Sequence, residues 1–394
     1  MKKITDISAE EFKGKVIIVR VDYNVPVFDG KVLDDARIRA SFQTIQFLRQ
    51  HGASVILISH IENKQDPSLR PIATHLQELF KTGKIDFEVV FHADLQTALS
   101  QPKSSYSQGG VHLFENLRSD EGEKNNDPAF AKRLADLADM YINEAFPVCH
   151  REHASVVALP GLFPQAHMAG FTLINEIAHI EKGLHPTRPF LFLLGGAKFE
   201  TKLPLIEKFL ARADKVVIGG ALFNDVLKAK GYEVGKSLVS GGGVDISHVI
   251  EHPTLLIPND VQVIDTTDKQ GIRQSKQIDA IGHEDMIVDI GTSLVDSLKT
   301  YISDCKAEGK NIFVLWNGPM GLYEKGYTDC TKGLAELFIS EGVEGLVGGG
   351  DTSAAIADVA GVSASDSHMY VSTGGGAMIE YLMNETLPGI EALK

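Results

Sequence analysis

Residues 190–202 read FLFLLGGAKFETK: five unbroken apolar residues, two glycines, then an opening helical pattern with Lys198 and Lys202 four apart. An apolar pentad bounded by glycine is a strand buried on both faces, and the helix behind it makes a strand–turn–helix unit of a parallel sheet. The same pattern recurs outward in both directions. Strands are predicted at 16–19, 55–58, 88–91, 111–114 and 140–143 in the first half, and at 216–218, 254–257, 287–290, 312–315, 346–347 and 369–371 in the second. Helical stretches such as 39–50, 129–137, 203–211 and 294–308 lie between them.

About a dozen strands exceeds what one twisted open sheet usually carries. Two sheets of roughly six strands are expected instead. The fold class is therefore α/β, with two doubly wound, parallel-sheet, Rossmann-like domains in a bilobal arrangement. The seam is placed at residues 170–184, GFTLINEIAHIEKGL, a helical stretch ending at His185-Pro186 and read as a hinge helix. In this reading residues 1–169 form the first domain and residues 185–376 the second.

Bulk properties exclude several classes. A formal net charge of −14 argues against nucleic acid or an anionic membrane as a partner, and no apolar run is long enough to span a bilayer. The opening MKKITDISAEEF lacks the apolar core of a secretion signal. Cys149, Cys305 and Cys330 form no CxxC pair, which points to a reducing, cytoplasmic compartment. An acidic chain that binds phosphate must gather its cations locally, against its own field.

Polar and glycine clusters follow nearly every predicted strand, and ligands of open α/β sheets bind beyond the carboxyl ends of strands. In the first half these clusters contain Arg20, Asp22 and Asn24, then Ser59-His60, then Glu115, Asn116 and Arg118. Arg37 sits at a helix entrance behind Asp34-Asp35. One such arginine reads first as a surface ion-pair partner. Arg20, Arg37, His60, Arg118 and Arg151 at one sheet edge read as a grip on a small, multiply anionic ligand.

The second half offers GGAK at 195–198, Gly219-Gly220, WNGPMG at 316–321, GGGDT at 348–352 and STGGGA at 372–377. Glycine serves tight turns as readily as it admits phosphate oxygens to backbone N–H groups, so density is the signal. Lys198 and Lys202 are expected to share one face of a helical turn. Asp351 has the setting of a Mg²⁺ carboxylate beside nucleotide phosphates. There is no GxxxxGK[ST], no HRD or DFG set, no GxGxxG after the first strand and no zinc spacing. P-loop and protein kinases, dinucleotide dehydrogenases and zinc sites are set aside on that basis.

Several long motifs then converge. VRVDYNVPVFDGKVLDDARIRA (19–40) resembles the N-terminal signature of the phosphoglycerate kinases. GGAKFETK (195–202), WNGPMGLYE (316–324), GGGDTSAA (348–355), VSTGGGAMIEYL (371–382) and LPGIEAL (387–393) resemble that family's later signatures, in the same order. The resemblance implies reversible transfer between 1,3-bisphosphoglycerate and ADP, giving 3-phosphoglycerate and ATP, a step of glycolysis and gluconeogenesis. It implies Mg-ATP or Mg-ADP, no nucleic-acid or membrane partner, a monomer, and a C-terminal tail (377–394) that returns to the first domain.

By resemblance, Asp22, Tyr23, Asn24, Arg37, His60, Ile61, Glu62, Asn63, Arg118 and Arg151 would hold phosphoglycerate. Gly195, Lys198, Lys202, Gly219, Gly220, Asn317, Pro319, Leu322, Glu324, Gly349, Gly350, Asp351 and Thr352 would hold the nucleotide, with Glu324 at the ribose and Asp351 at the metal. Arg37, Lys198 and the N–H groups of Gly375 and Gly376 would stabilise the transferring phosphoryl group. No general base is needed, because the attacking oxygen is already an anion; His150 and His153 read as structural. Lobe closure is expected about residues 170–184, with further hinges near Asp351 and Ser372.

Two stretches depart from the family pattern. SHLGRP reads SHIENK (59–64), with Glu62 for glycine and Asn63 for arginine, and NDAFGTAHR reads NEAFPVCHR (143–151), with Glu144 for aspartate and Pro147 for glycine. Losing one buried charge-assisted contact costs roughly 1.5–3 kcal/mol, so weakened acid binding is expected, Asn63→Arg is expected to tighten it, and Lys64 is a candidate to compensate. The alternatives are a catalytically weakened paralogue acting as a nucleotide-binding or regulatory protein and, more remotely, a nicotinamide-dependent oxidoreductase.

Overall fold

In a computed structural model the chain is described at residues 1–394 except 64, 84, 86, 242–244, 269–270 and 361–367, so Lys64 lies outside the described residues. Strands β1 (Val16–Arg20), β2 (Ser54–Ile58), β3 (Val89–His92), β4 (Val111–Phe114), β5 (Met140–Asn143) and β6 (His167–Ala169) form one sheet in the order β3-β4-β2-β1-β5-β6. Every pairing in it is parallel. β1, β2, β4 and β5 are buried at every position. That two-sided burial is why they read as runs and not as alternations. β6 has three residues and no periodicity, and it escapes sequence reading.

The second half contains β7 (Phe190–Leu194), β8 (Lys215–Ile218), β9 (Leu255–Leu256), β10 (Asp260–Asp265), β11 (Arg273–Gln277), β12 (Asp285–Ile290), β13 (Phe313–Asn317), β14 (Glu344–Gly348) and β15 (Met369–Val371). Six of them form a parallel sheet in the order β9-β8-β7-β13-β14-β15. The expectation of parallel strands alone needs one correction. The run at 287–290 belongs to β12, in a separate antiparallel sheet ordered β11-β10-β12. Its strand β11, RQSKQ, is almost wholly exposed and carries no apolar signal.

Both parallel sheets reverse direction beside their first strand. β1 lies between β2 and β5, and β7 lies between β8 and β13. Such a reversal splays the adjoining turns apart and opens a crevice at the carboxyl edge. By its internal contacts the chain divides into one unit, Met1–Ala178 with Asn384–Lys394, and another, His179–Met383. The boundary falls inside the helix Phe171–Leu184. The returning segment is held by Gly389 N–H donating to Cys149 O at 2.8 Å; a Cβ at Gly389 would stand 2.6 Å from Val156 Cγ1.

Candidate functional site

In the first unit the chain leaves β1 through Arg20. This arginine is wholly buried. Its Nε donates to Ser155 Oγ at 2.9 Å, Nη1 to Val21 O, and Nη2 lies 3.2 Å from His60 Nδ1. Ser155 in turn meets Glu123 through both its N–H (2.9 Å) and its hydroxyl (2.6 Å). Arg20 is therefore a cation enclosed by the fold, and the expectation that it grips a ligand at the sheet edge does not fit its burial.

Arg37 Nη1 lies 2.9 Å from Asp22 Oδ2 and donates to Asn24 O at 3.0 Å, which aims a half-exposed guanidinium along the edge. His60 is buried, and burial, followed by Arg20, Arg118 and Arg37 nearby, holds its pKa far below the ordinary value. It is a neutral ring among cations. His153 is pushed down to about 4 by burial and then by Arg118, Arg20 and Arg151. These residues bring the cations of an acidic chain together at one edge, as phosphate binding demands.

Tyr23 and Ile61 are core residues. The Tyr23 hydroxyl lies 2.9 Å from Ser41 Oγ, burial raises its pKa, and its N–H donates to Ser59 Oγ at 2.9 Å. Ile61 is bracketed by Asn116, whose Oδ1 accepts from Ile61 N (3.3 Å) and whose Nδ2 donates to Ile61 O (3.0 Å). Asn63 donates to Val27 O at 3.1 Å and accepts from Gln65 N and Asp66 N at 2.9 and 3.3 Å, a loop pin made of backbone partners. Glu62 carries an exposed side chain whose carboxylate pairs with Arg118.

The second departure is structural. Glu144 is buried, and its Oε1 accepts from Thr44 Oγ1 (2.6 Å), Thr172 Oγ1 (2.8 Å) and Thr172 N (3.1 Å), capping the helix Phe171–Leu184. Burial raises its pKa to about 7. The longer acid fits because residue 170 is glycine; a Cβ there would collide with the Glu144 carboxylate.

In the second unit the turns after β7 and β13 touch backbone to backbone at the sheet reversal. A Cβ on Gly195 would run into Pro319 O and stand 2.7 Å from Gly318 O, so loop packing by itself requires this glycine. Gly350 and Gly376 differ: a Cβ at either meets nothing within 4 Å, and both sit in the first turn of their helices, Gly350–Ala360 and Gly375–Asn384. In a first helical turn their N–H groups have no intrahelical acceptor, and there is room beside them.

Lys198 does not share a helical face with Lys202. It has φ +64°, left-handed for a non-glycine residue, and precedes the helix Phe199–Leu210 as its cap. Backbone strain of that kind collects at ligand-handling turns. Lys202 lies within the helix, and burial lowers its pKa. Asn317 Nδ2 and Thr352 Oγ1 are buried without a hydrogen-bond partner among the described residues, polar atoms that a bound ligand would satisfy.

A cavity of about 540 Å³ lies beside these turns, walled by Gly220, Phe223, Asn224, Met286, Met320 and Leu322 among others. An adjoining recess of about 260 Å³ shares Gly220, Gly321 and Leu322 with it and continues to Pro319, Glu324 and Asp351. Asp351 is raised by burial and then by the charge of Glu324. The chamber leads to two carboxylates, Glu324 in a short turn and Asp351 in the first turn of the helix Gly350–Ala360. Sequence reading missed Asn224, Leu238 and Asp289 in the cavity wall. Asn224 and Leu238 stand in no motif, while Asp289 ends a recognised strand. Burial raises Asp289 to about 7, and it accepts from Ile290 N (2.9 Å) and Cys330 N (3.1 Å).

A family model described as phosphoglycerate kinase matches residues 4–385. Phosphoglycerate kinase of Thermosynechococcus vestitus is 39% identical over 411 aligned residues, covering 100% of this chain and 98% of that protein. That of Dictyoglomus turgidum is 36% identical over 406, covering 100% and 99%. Among solved structures, phosphoglycerate kinase from Coxiella burnetii superposes with a TM-score of 0.81 at 29% identity, over 99% of this chain and 98% of that one. The Pyrococcus horikoshii enzyme gives 0.78 at 26%, over 100% and 98%. These relatives lend no support to a non-catalytic paralogue. Similarity that runs the length of the chain, to proteins of one name, places it in the phosphoglycerate kinase family.

Proposed function

We propose that this kinase binds 3-phosphoglycerate at the basic edge of its first unit and Mg-nucleotide in the cavity of its second. The observation that carries the assignment is the apolar chamber continuing to Glu324 and to Asp351 in the first turn of the helix Gly350–Ala360. The family's activity is phosphoryl transfer to a carboxyl group. In that transfer a carboxylate oxygen of 3-phosphoglycerate bonds to the γ-phosphorus of ATP as the bond to the ADP oxygen breaks, and the reverse step starts from the ADP oxygen. Both nucleophiles are anions, so no side chain must remove a proton.

What the protein supplies is position and charge. Arg118 and Arg151 would hold the acid, and neutral His60 would hydrogen-bond to it. Arg37, Lys198 and the N–H groups of Gly375 and Gly376 would meet the three equatorial oxygens of the transferring group. Asp351 is a hard oxygen donor of the kind Mg²⁺ takes when phosphate and water complete its shell, with Glu324 left to the ribose; bound there, the ion would neutralise phosphate charge. Transfer requires the two ligands to meet, and the helix Phe171–Leu184, which the unit boundary divides, is the hinge in this reading.

No described helix is long and apolar enough to cross a membrane. A cytoplasmic compartment remains the reading, supported by three buried, unbridged cysteines, and a monomer remains the expectation from the family resemblance. A coupled assay of ATP consumption with 3-phosphoglycerate tests the function. Arg37→Ala is expected to lower kcat/KM by about 100-fold or more; a variant as fast as wild type would remove Arg37 from the chemistry.

A further inference from the structure

We propose that Glu62 is a tethered counter-anion that holds Arg118 until the anionic substrate displaces its carboxylate, making residue 62 a determinant of phosphoglycerate affinity. The inference rests on the assignment of 3-phosphoglycerate to the first unit. Its starting point is an imbalance of charge around Arg118. The Arg118 side chain is only 9% exposed, and its Nε is buried without a partner among the described residues. Burial, the largest influence, and the nearby Arg20 disfavour its charge, against Glu62 and, more weakly, Glu123, which favour it. A guanidinium in that position needs an anion. Glu62 provides one, through an ion pair between its Oε1 and Arg118 Nη1.

The backbone on both sides of this pair is held by one residue. Asn116 Oδ1 accepts from Arg118 N at 3.1 Å and from Ile61 N at 3.3 Å, while its Nδ2 donates to Ile61 O at 3.0 Å and to Pro67 O at 2.8 Å. Glu62 N donates to Asn24 Oδ1 at 2.9 Å. Main chain at 62 is thus fixed beside the arginine, and the freedom that remains is in the side chain, 64% exposed. That side chain can swing into water at the cost of one ion pair, with no rearrangement of the loop. A glycine at this position, as in the family pattern, leaves Arg118 open; a glutamate occupies it.

A carboxylate on Nη1 and a substrate anion compete for the same donor. With one partner nearly buried and the other exposed, the pair falls between the weak surface case and the strong buried case. Glu62→Gln keeps the length and removes the charge. It is expected to lower KM for 3-phosphoglycerate by about three- to tenfold, with KM for ATP unmoved. In an Arg118→Ala background the same substitution is expected to change nothing, because no donor is left to release. Calorimetric titration with 3-phosphoglycerate gives the comparison for forms that turn over too slowly. If wild type uses 3-phosphoglycerate and Glu62→Gln leaves its KM equal or higher, the counter-anion role is wrong and the functional reading stands. If wild type neither binds nor turns over 3-phosphoglycerate, the functional reading falls and this inference with it.

Discussion

Glu144 and Asp289 are carboxyl groups that burial pushes up to about 7, one capping a helix and one in the cavity wall of the second unit. Each lies above the ordinary carboxyl range, so between about pH 4 and 7 the folded protein keeps protons that the unfolded chain releases. Stability from these groups is complete below that window and declines as pH rises through it. Glu144→Gln keeps the acceptor for Thr44 and Thr172 without the charge. Relative to wild type it should gain stability between pH 4.5 and 8, by up to about 3 kcal/mol, read from melting curves; a difference that does not move with pH would exclude Glu144 as the titrating group. Asn63 changes the outlook for its own position. Its amide is engaged with Val27 O, Gln65 N and Asp66 N, so Asn63→Arg should loosen the loop by about 1 kcal/mol and fail to tighten substrate use. A lower KM in that variant would restore the missing-arginine account. Sequence could not pair Glu144 with Thr44 and Thr172, 100 and 28 positions away, nor Asn63 with Val27, 36 away; only the Asn63 contacts to Gln65 and Asp66 are local.

At the scale of elements, the glycine turns separate into two kinds that look alike in one dimension. Gly195 is pressed against Gly318 and Pro319, whereas Gly350 faces open space. Gly195→Ala should force the β7 and β13 turns apart, destabilising the second unit by about 1–3 kcal/mol and weakening nucleotide binding. Gly350→Ala should leave stability within about 0.5 kcal/mol. Thermal melts of the two variants decide the matter, and equal losses would contradict the division. The strands themselves were readable. Val111–Phe114, Met140–Asn143 and Phe190–Leu194 fall where the apolar runs end, because burial on both faces leaves no other pattern for them, and the half-buried edge strand Met369–Val371 matches its run as well. β10 and β11 were not readable, since an antiparallel pair with one exposed strand needs few apolar residues.

For the whole molecule, two units with separate sites should respond separately to their ligands. 3-Phosphoglycerate alone should slow amide exchange in segments around residues 22–37, 60–62 and 116–118, and ADP with Mg²⁺ in those around 195–202, 317–324 and 349–352. At about 100 times Kd each ligand should add about 2.7 kcal/mol of protection. Protection of both sets by either ligand alone would refute the assignment of one ligand to each. The sequence alone determined the class of fold, two parallel sheets and their strand ends, and the identity of the residues beyond those ends. These are local or periodic properties, written in runs of apolar residues and in contiguous motifs. Tertiary structure alone decided which cations remain for a ligand. Arg20 ends a strand and Arg118 follows one, yet the first is enclosed by Ser155, Val21 and His60 while the second is ion-paired to the exposed Glu62. Burial and pairing depend on neighbours brought in from distant segments, and no spacing along the chain encodes them.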